Sequence, residues 1–107
     1  MRGLAKVERT SGAMEFIERP IPEPDEDEVL VKVDYAGLCG SDAGIYEFEL
    51  AFERMELPTV IGHEYAGTVV ETGASVSNYE SGDRVVERPI RDCGECYQCR
   101  IGEENVC

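Results

Sequence analysis

Apolar and polar residues alternate most cleanly in "EVLVKVDYAG", where Val29, Val31, Val33 and Tyr35 fall on one face and Lys32 and Asp34 on the other. A period of two is the mark of a strand with one buried face. Upstream, "LAKVERT" and "MEFIERP" flank Ser11-Gly12 and predict two strands joined by a turn. Pro20, Pro22 and Pro24 follow, spaced so that neither a helix nor a central strand can run through. The pattern then changes period. Ile45, Phe48, Phe52 and Met55 recur at helical spacing after Ser41 or Asp42, either of which could cap a helix that Pro58 ends. The stripe reads as core packing ahead of a cleft lining. "TVIGHEYAGTVVETG" and "GDRVVERPI" return to β-branched strands, punctuated by Gly62, Gly67, Gly73 and Gly82. Strands dominate and turns are short, which predicts one mostly β domain over residues 1–107, a small antiparallel barrel.

Composition narrows the class. With 42% hydrophobic and 31% charged residues the chain is globular in make-up rather than disordered. No apolar run approaches the eighteen or so residues of a membrane span, and the first residues lack the pattern of a secretion signal, so a soluble, cytoplasmic protein is expected. A net charge of −13 with two lysines excludes a phosphate-backbone partner, so no nucleic acid is expected. The carboxylates spread along the whole chain, "PDEDE" among them. They read as a solvated face, or as the surface of a protein from a salt-adapted organism.

Chemistry concentrates at the end. "RDCGECYQCRIGEENVC" spaces Cys93, Cys96, Cys99 and Cys107 so that one short loop, residues 91–107, can wrap four thiolates around a tetrahedral ion. Zinc favours such a cage, and four sulfurs leave no position open for reaction, so this metal would be structural. Iron suits thiolate cages too, and disulfides would need an oxidising compartment. Gly94 and Gly102 allow the tight backbone, Arg91 and Arg100 could offset the charge of the cluster, and Tyr97 reads as packing or interface.

The remaining cysteine, Cys39, and the single histidine, His63, sit in "GLCGSD" and "IGHEYAG", both glycine-rich turns after strand-like segments. With Glu64 they make three candidate zinc ligands, and Asp42 could hold the second ring N–H of His63. Position 67 is glycine and no second histidine exists, so the HExxH metalloprotease pattern is absent.

In order, "GLCGSD", "GHEYAGTVVETG", "GDRVV" and the four-cysteine lobe resemble the N-terminal part of zinc-dependent medium-chain alcohol dehydrogenases. The branch most similar is that of sorbitol, threonine and butanediol dehydrogenases, where glycine follows the catalytic cysteine as Gly40 does here. The resemblance implies a GroES-like barrel, normally followed by a Rossmann domain for NAD or NADP. It implies catalytic-zinc ligands at Cys39, His63 and Glu64, and structural-zinc ligands at Cys93, Cys96, Cys99 and Cys107. It makes Ser41 the hydroxyl that takes the substrate's proton, Asp42 the support of the histidine, and Gly62, Gly67, Gly73, Gly82 and Asp83 turn positions of the barrel. The implied reaction oxidises an alcohol or polyol to a ketone or aldehyde, in a protein that is commonly a homo-oligomer. Two departures stand out: Gly44 occupies the place of a histidine that many relatives use at the outer end of the proton relay, and no G-x-G-x-x-G occurs. The family's third catalytic-zinc ligand falls beyond the lobe. The expectation is a truncated catalytic half, inactive alone, its catalytic zinc weak or absent. Two non-catalytic readings stand beside it, a zinc module using only the lobe and a co-chaperonin-like barrel.

Overall fold

The computed structural model describes residues 1–107. Six strands, β1 (Arg2–Lys6), β2 (Met14–Glu18), β3 (Val29–Ala36), β4 (Thr59–Val60), β5 (Tyr65–Thr72) and β6 (Arg84–Val86), form two antiparallel sheets. One has the order β2-β1-β4 and the other β3-β5-β6. The two helices, α1 (Gly40–Glu47) and the single-turn α2 (Tyr97–Arg100), are both short. No helix is long and apolar enough to cross a membrane.

The antiparallel, mostly β expectation holds, but the barrel is not closed. No hydrogen-bonded strand pair joins the two sheets. The segment between β2 and β3 carries Pro20, Pro22 and Pro24, which lack the N–H a ladder requires. Between the sheets lies a groove of about 870 Å³ whose walls include Leu4, Ile21, Val29, Val31, Val33 and Val60. This openness explains a difference from the alternation in β3, for Val33 on the groove wall is 51% exposed; Tyr35, outside that wall, is 80% exposed. The strand also changes register at Leu30/Val31 and at Val33/Tyr35, so a strict period of two does not survive along it. Ala5 and Val69 are the only apolar residues that are buried outright. A radius of gyration of 15.9 Å exceeds the roughly 13 Å of a compact domain this long.

Two further boundaries differ. The helical stripe predicts one helix through Met55, but α1 stops at Glu47 because Phe48 turns left-handed (φ 55°) and a 3-10 turn, Leu50–Phe52, follows. All four stripe residues are half-buried, in keeping with packing. The segment 59–73 breaks into β4 and β5, which belong to different sheets. His63 and Glu64 sit in that break. Gly67, by contrast, is inside β5 rather than at a turn; a Cβ there would stand 2.3 Å from the Lys32 carbonyl oxygen, so the strands approach closely enough to demand glycine.

The hairpin β1–β2 carries one unusual residue. Lys6 is fully buried, and its Nζ donates to the carbonyls of Thr10 at 2.5 Å and Tyr46 at 2.8 Å, above the ring of Phe48. An ammonium taken from water requires such acceptors. They tie the first hairpin to the C-terminal end of α1, where a cation also meets the negative end of the helix.

Candidate metal centres

The lobe is built by short backbone turns. Cys96 is the residue before α2, Cys99 is inside it, and Gly94 takes φ 71°, a left-handed conformation that side-chain-bearing residues rarely adopt. The four sulfurs gather within 4.8 Å of one another. Cys96–Cys99, Cys96–Cys107 and Cys93–Cys99 are separated by 3.5, 3.9 and 4.0 Å. A tetrahedron with metal–sulfur bonds of ~2.3 Å has edges of about 3.8 Å, so the donor set fits zinc and all five cysteines are free thiols. Backbone N–H groups also point at sulfur: Cys96 N donates to Cys93 Sγ at 3.3 Å and Cys93 N to Cys107 Sγ at 3.4 Å. The amides of Glu95 and then Cys96 draw the Cys93 thiol down to about 6, while burial first, and the Cys96 thiol after it, push Cys99 up to about 12. A cluster of sulfurs with split proton affinities can lose its first proton easily and yields the others on meeting a cation. Tyr97, read from the sequence as packing or interface, is exposed.

The second group lies where β3 and β4 run out. Cys39 precedes α1 in extended conformation, and its backbone N–H donates to Asp42 Oδ2 at 2.8 Å, so Asp42 in the first turn fixes the helix start. The cap is therefore Cys39, in place of the Ser41 or Asp42 expected. The same geometry leaves the thiol, the His63 ring and the Glu64 carboxylate with donor atoms within 4.8 Å of one another. Glu64 is held against Gly37, whose N–H donates to the Glu64 carbonyl at 2.6 Å. His63 is bracketed: Nδ1 stands 3.7 Å from Asp42 Oδ1, and Nε2 is 3.3 Å from Ser41 Oγ. The Ser41 hydroxyl, then its backbone amide, then His63 lower the Cys39 thiol from its ordinary value; the hydrogen bond to Cys39 raises His63. Asp42 Oδ1 is buried without a hydrogen-bond partner, an acceptor aimed at a ring N–H slightly too far away. The donors fit zinc, with a thiolate, an imidazole and a carboxylate leaving a fourth position open.

Both groups join residues that the sequence pairs. One neighbour was not legible there. Glu87 follows β6, and its N–H donates to the Tyr65 carbonyl at 2.9 Å, which makes the two residues cross-strand neighbours. Burial, followed by the Glu87 carboxylate, raises the Tyr65 phenol. Glu87 lines a concavity of about 260 Å³ with His63, Arg88, Pro89, Ile90 and Arg91. Arg91, expected beside the sulfur cluster as a counter-charge, thus also lines the concavity that His63 borders.

Residues 25–107 match the family described as Alcohol dehydrogenase GroES-like domain. The chain belongs to that family. Within it, the GroES-like domain described here is 42% identical over 108 residues to a D-arabitol-phosphate dehydrogenase from Enterococcus avium, covering 100% of this chain and 30% of that protein. It is likewise 42% identical over 108 residues to an L-threonine 3-dehydrogenase from Bacillus velezensis, covering 100% of this chain and 31% of that one. Among solved structures, an NAD-dependent alcohol dehydrogenase superposes with a TM-score of 0.92 at 33% identity, over 100% of this domain and 31% of that chain. A short chain alcohol dehydrogenase (rspB) from E. coli CFT073, complexed with NADH, gives 0.87 at 40% identity over 100% and 30%. The GroES-like domain spans about three-tenths of the length of these relatives.

Proposed function

We propose that this chain is the zinc-holding catalytic domain of an NAD(P)-dependent dehydrogenase that oxidises an alcohol or polyol to a ketone or aldehyde. The observation that carries the reading is the convergence of Cys39, His63 and Glu64 donor atoms within 4.8 Å, beside a serine hydroxyl, in a GroES-like domain whose relatives are named as dehydrogenases. Cys39, His63 and Glu64 would hold the catalytic ion; Cys93, Cys96, Cys99 and Cys107 would hold a structural one.

When bound, zinc supplies Lewis acidity toward the substrate hydroxyl and NAD or NADP supplies the hydride acceptor. The chain's own residues do the rest. Ser41 Oγ, 3.3 Å from the imidazole, would take the hydroxyl proton and pass it outward. Gly44, in place of a further basic side chain, leaves that outward path to water. Asp42 Oδ1 stands 3.7 Å from His63 Nδ1 as its ion-pair neighbour, and the other oxygen of the same carboxylate holds the helix start that carries Ser41. The sulfur lobe takes no part in the reaction and fixes residues 91–107. Free thiols throughout suit a reducing compartment, which supports a cytoplasmic setting.

Metal counting and turnover test the reading together. The complete protein carrying this domain should hold two zinc ions per chain and reduce NAD or NADP in the presence of a secondary alcohol. Cys39→Ser should remove one zinc and abolish turnover. Retention of both ions by that variant, or one ion from the outset, would overturn it.

A further inference from the structure

Lys6 belongs to two parts of the fold at once. Its backbone lies in β1, which pairs with β4 at Ala5↔Val60 and Lys6↔Thr59. The Leu4 carbonyl accepts the Ile61 N–H at 3.0 Å, so this pairing guides the chain to within two residues of His63. Its side chain reaches α1 instead. Nζ donates to the Tyr46 carbonyl at 2.8 Å, and the same carbonyl accepts the Gly12 N–H at 3.0 Å. Cys39 caps the other end of that helix, and Ser41 lies in its first turn. One side chain with 0% exposure therefore joins the strand pair that delivers His63 to the helix that delivers Cys39 and Ser41.

Its own stability and its packing hold α1 only weakly. The helix has 8 residues, and isolated helices shorter than ~12–15 residues are marginal in water. Only Asp42 and Gly44 are buried within it, so apolar burial does little to seat it. Polar ties from the first hairpin fix its far end: Lys6 and Gly12 to Tyr46, and Ser11 Oγ to Glu47 Oε2 at 2.6 Å. The Ser11 bond is exposed and open to competition from water, whereas the Lys6 bond comes from a side chain without exposed surface. Ser41 and Tyr46 are about 7.5 Å apart along the axis at ~1.5 Å per residue, so a shift at one end reaches the other. A displacement of ~1 Å at a reacting group costs on the order of 100-fold in rate. We propose that Lys6 is a positioning residue: by tying the C-terminal end of α1 to the β1–β4 pair, it sets Cys39 and Ser41 at working distance from His63. This rests on the dehydrogenase reading above and adds to that site a residue that touches neither metal nor substrate.

Zinc release and turnover test this in the complete protein, measured well below the melting temperature of every variant. In Lys6→Met, kcat should fall by ~10-fold or more while KM changes little, because the lost quantity is alignment. The zinc ion at Cys39, His63 and Glu64 should pass to a chelator more readily by a similar factor, while the ion of the four-cysteine lobe is unaffected. Val69→Ala, a truncation of the buried core in β5, should lower the melting temperature and leave both quantities where they were. Lys6→Arg keeps the donors on a longer side chain, so it should melt near the unaltered protein and still lose roughly threefold in kcat; it carries the test if methionine prevents folding. Unchanged turnover and zinc release in the Lys6 variant, or equal losses in Val69→Ala, would show that Lys6 only stabilises the fold. Metal separates this inference from the one beneath it. If no alcohol is oxidised but the second zinc is present and Lys6→Met loosens it, the positioning role stands and the dehydrogenase reading falls. With no second zinc and no turnover, both fall.

Discussion

His63 Nδ1 stands 3.7 Å from Asp42 Oδ1, while the other oxygen of the same carboxylate accepts the Cys39 N–H at 2.8 Å. One buried side chain, 4% exposed, thus touches both a candidate ligand's ring and a second ligand's backbone. Asp42→Ala should remove the helix-start bond, at about 1 kcal/mol. It should also weaken zinc at the Cys39–His63–Glu64 group by ~10–100-fold, as loss of a ligand's supporting carboxylate does. Competition against a chromophoric chelator checks this. Equal affinity in the variant would mean that Asp42 only caps the helix.

The sulfur lobe makes a pH-dependent prediction for the chain stripped of metal. Cys93 lies at about 6 against an ordinary 9.0, held down by the amides of Glu95 and Cys96. A folded value below the unfolded one stabilises the fold above the unfolded value, and that contribution fades as pH falls through about 6. Cys99, raised to about 12, behaves oppositely: its contribution is present below 9 and lost as pH rises toward 12. Iodoacetamide at neutral pH should therefore label Cys93 first, with a rate that rises through pH 6, and Cys99 last. Zinc should suppress labelling of all four. Uniform labelling of the cluster, read by peptide mass mapping, would defeat the argument.

The four-cysteine lobe was legible because its ligands are local: short spacing and one glycine in each tight turn are enough to bring sulfur to sulfur. The Cys39–His63 pair was not legible in that way. Twenty-three residues lie between the two, and only resemblance to a family, together with the glycine-rich turns, drew them together. What failed in the sequence were properties that depend on distant neighbours. The stripe Ile45, Phe48, Phe52, Met55 looks continuous, yet the left-handed Phe48 ends α1, since apolar spacing carries no record of where a backbone reverses. Alternation in β3 predicts a buried face, but whether Val33 is covered depends on what lies across the groove. Gly67 looks like a turn glycine and is a close-approach glycine inside a strand. Glu87 carries no spacing signal at all; its significance comes from a strand register that pairs it with Tyr65.

Lys6 makes a stability prediction. Its Nζ is the partner of two carbonyls, Thr10 at 2.5 Å and Tyr46 at 2.8 Å, and the residue has no exposed surface. Lys6→Met fills much of the volume and leaves those carbonyls with one donor fewer each. Each carbonyl keeps a backbone donor, Ala13 N–H to Thr10 at 3.4 Å and Gly12 N–H to Tyr46 at 3.0 Å, so what is removed is the net worth of two hydrogen bonds from a charged donor, and a loss of about 2 kcal/mol is expected. For a domain this size that corresponds to a melting temperature lower by roughly 8–16 °C. Lys6→Arg should lose less, because a guanidinium can donate to both. Thermal unfolding of the two variants decides it; a fall of under ~2 °C for methionine would show that water reaches the carbonyls.

The charge makes the last prediction. Of 23 acidic residues, only Asp42 and Glu104 stand within ion-pair distance of a basic side chain, and one of those pairs involves a histidine. A net charge of −13 is therefore almost wholly uncompensated by contact, and repulsion among carboxylates opposes the compact state. Screening relieves it: the Debye length contracts from ~10 Å at 0.1 M to ~3 Å at 1 M ionic strength. The melting temperature should rise steadily between those concentrations of KCl and fall in dilute buffer. Potassium chloride is the right salt for the test, since sulfate would add a general stabilisation through exclusion from the protein surface. A flat response would show that the carboxylates are spaced widely enough for water alone to screen them. The acidic face would then be an ordinary solvated one rather than an adaptation to salt.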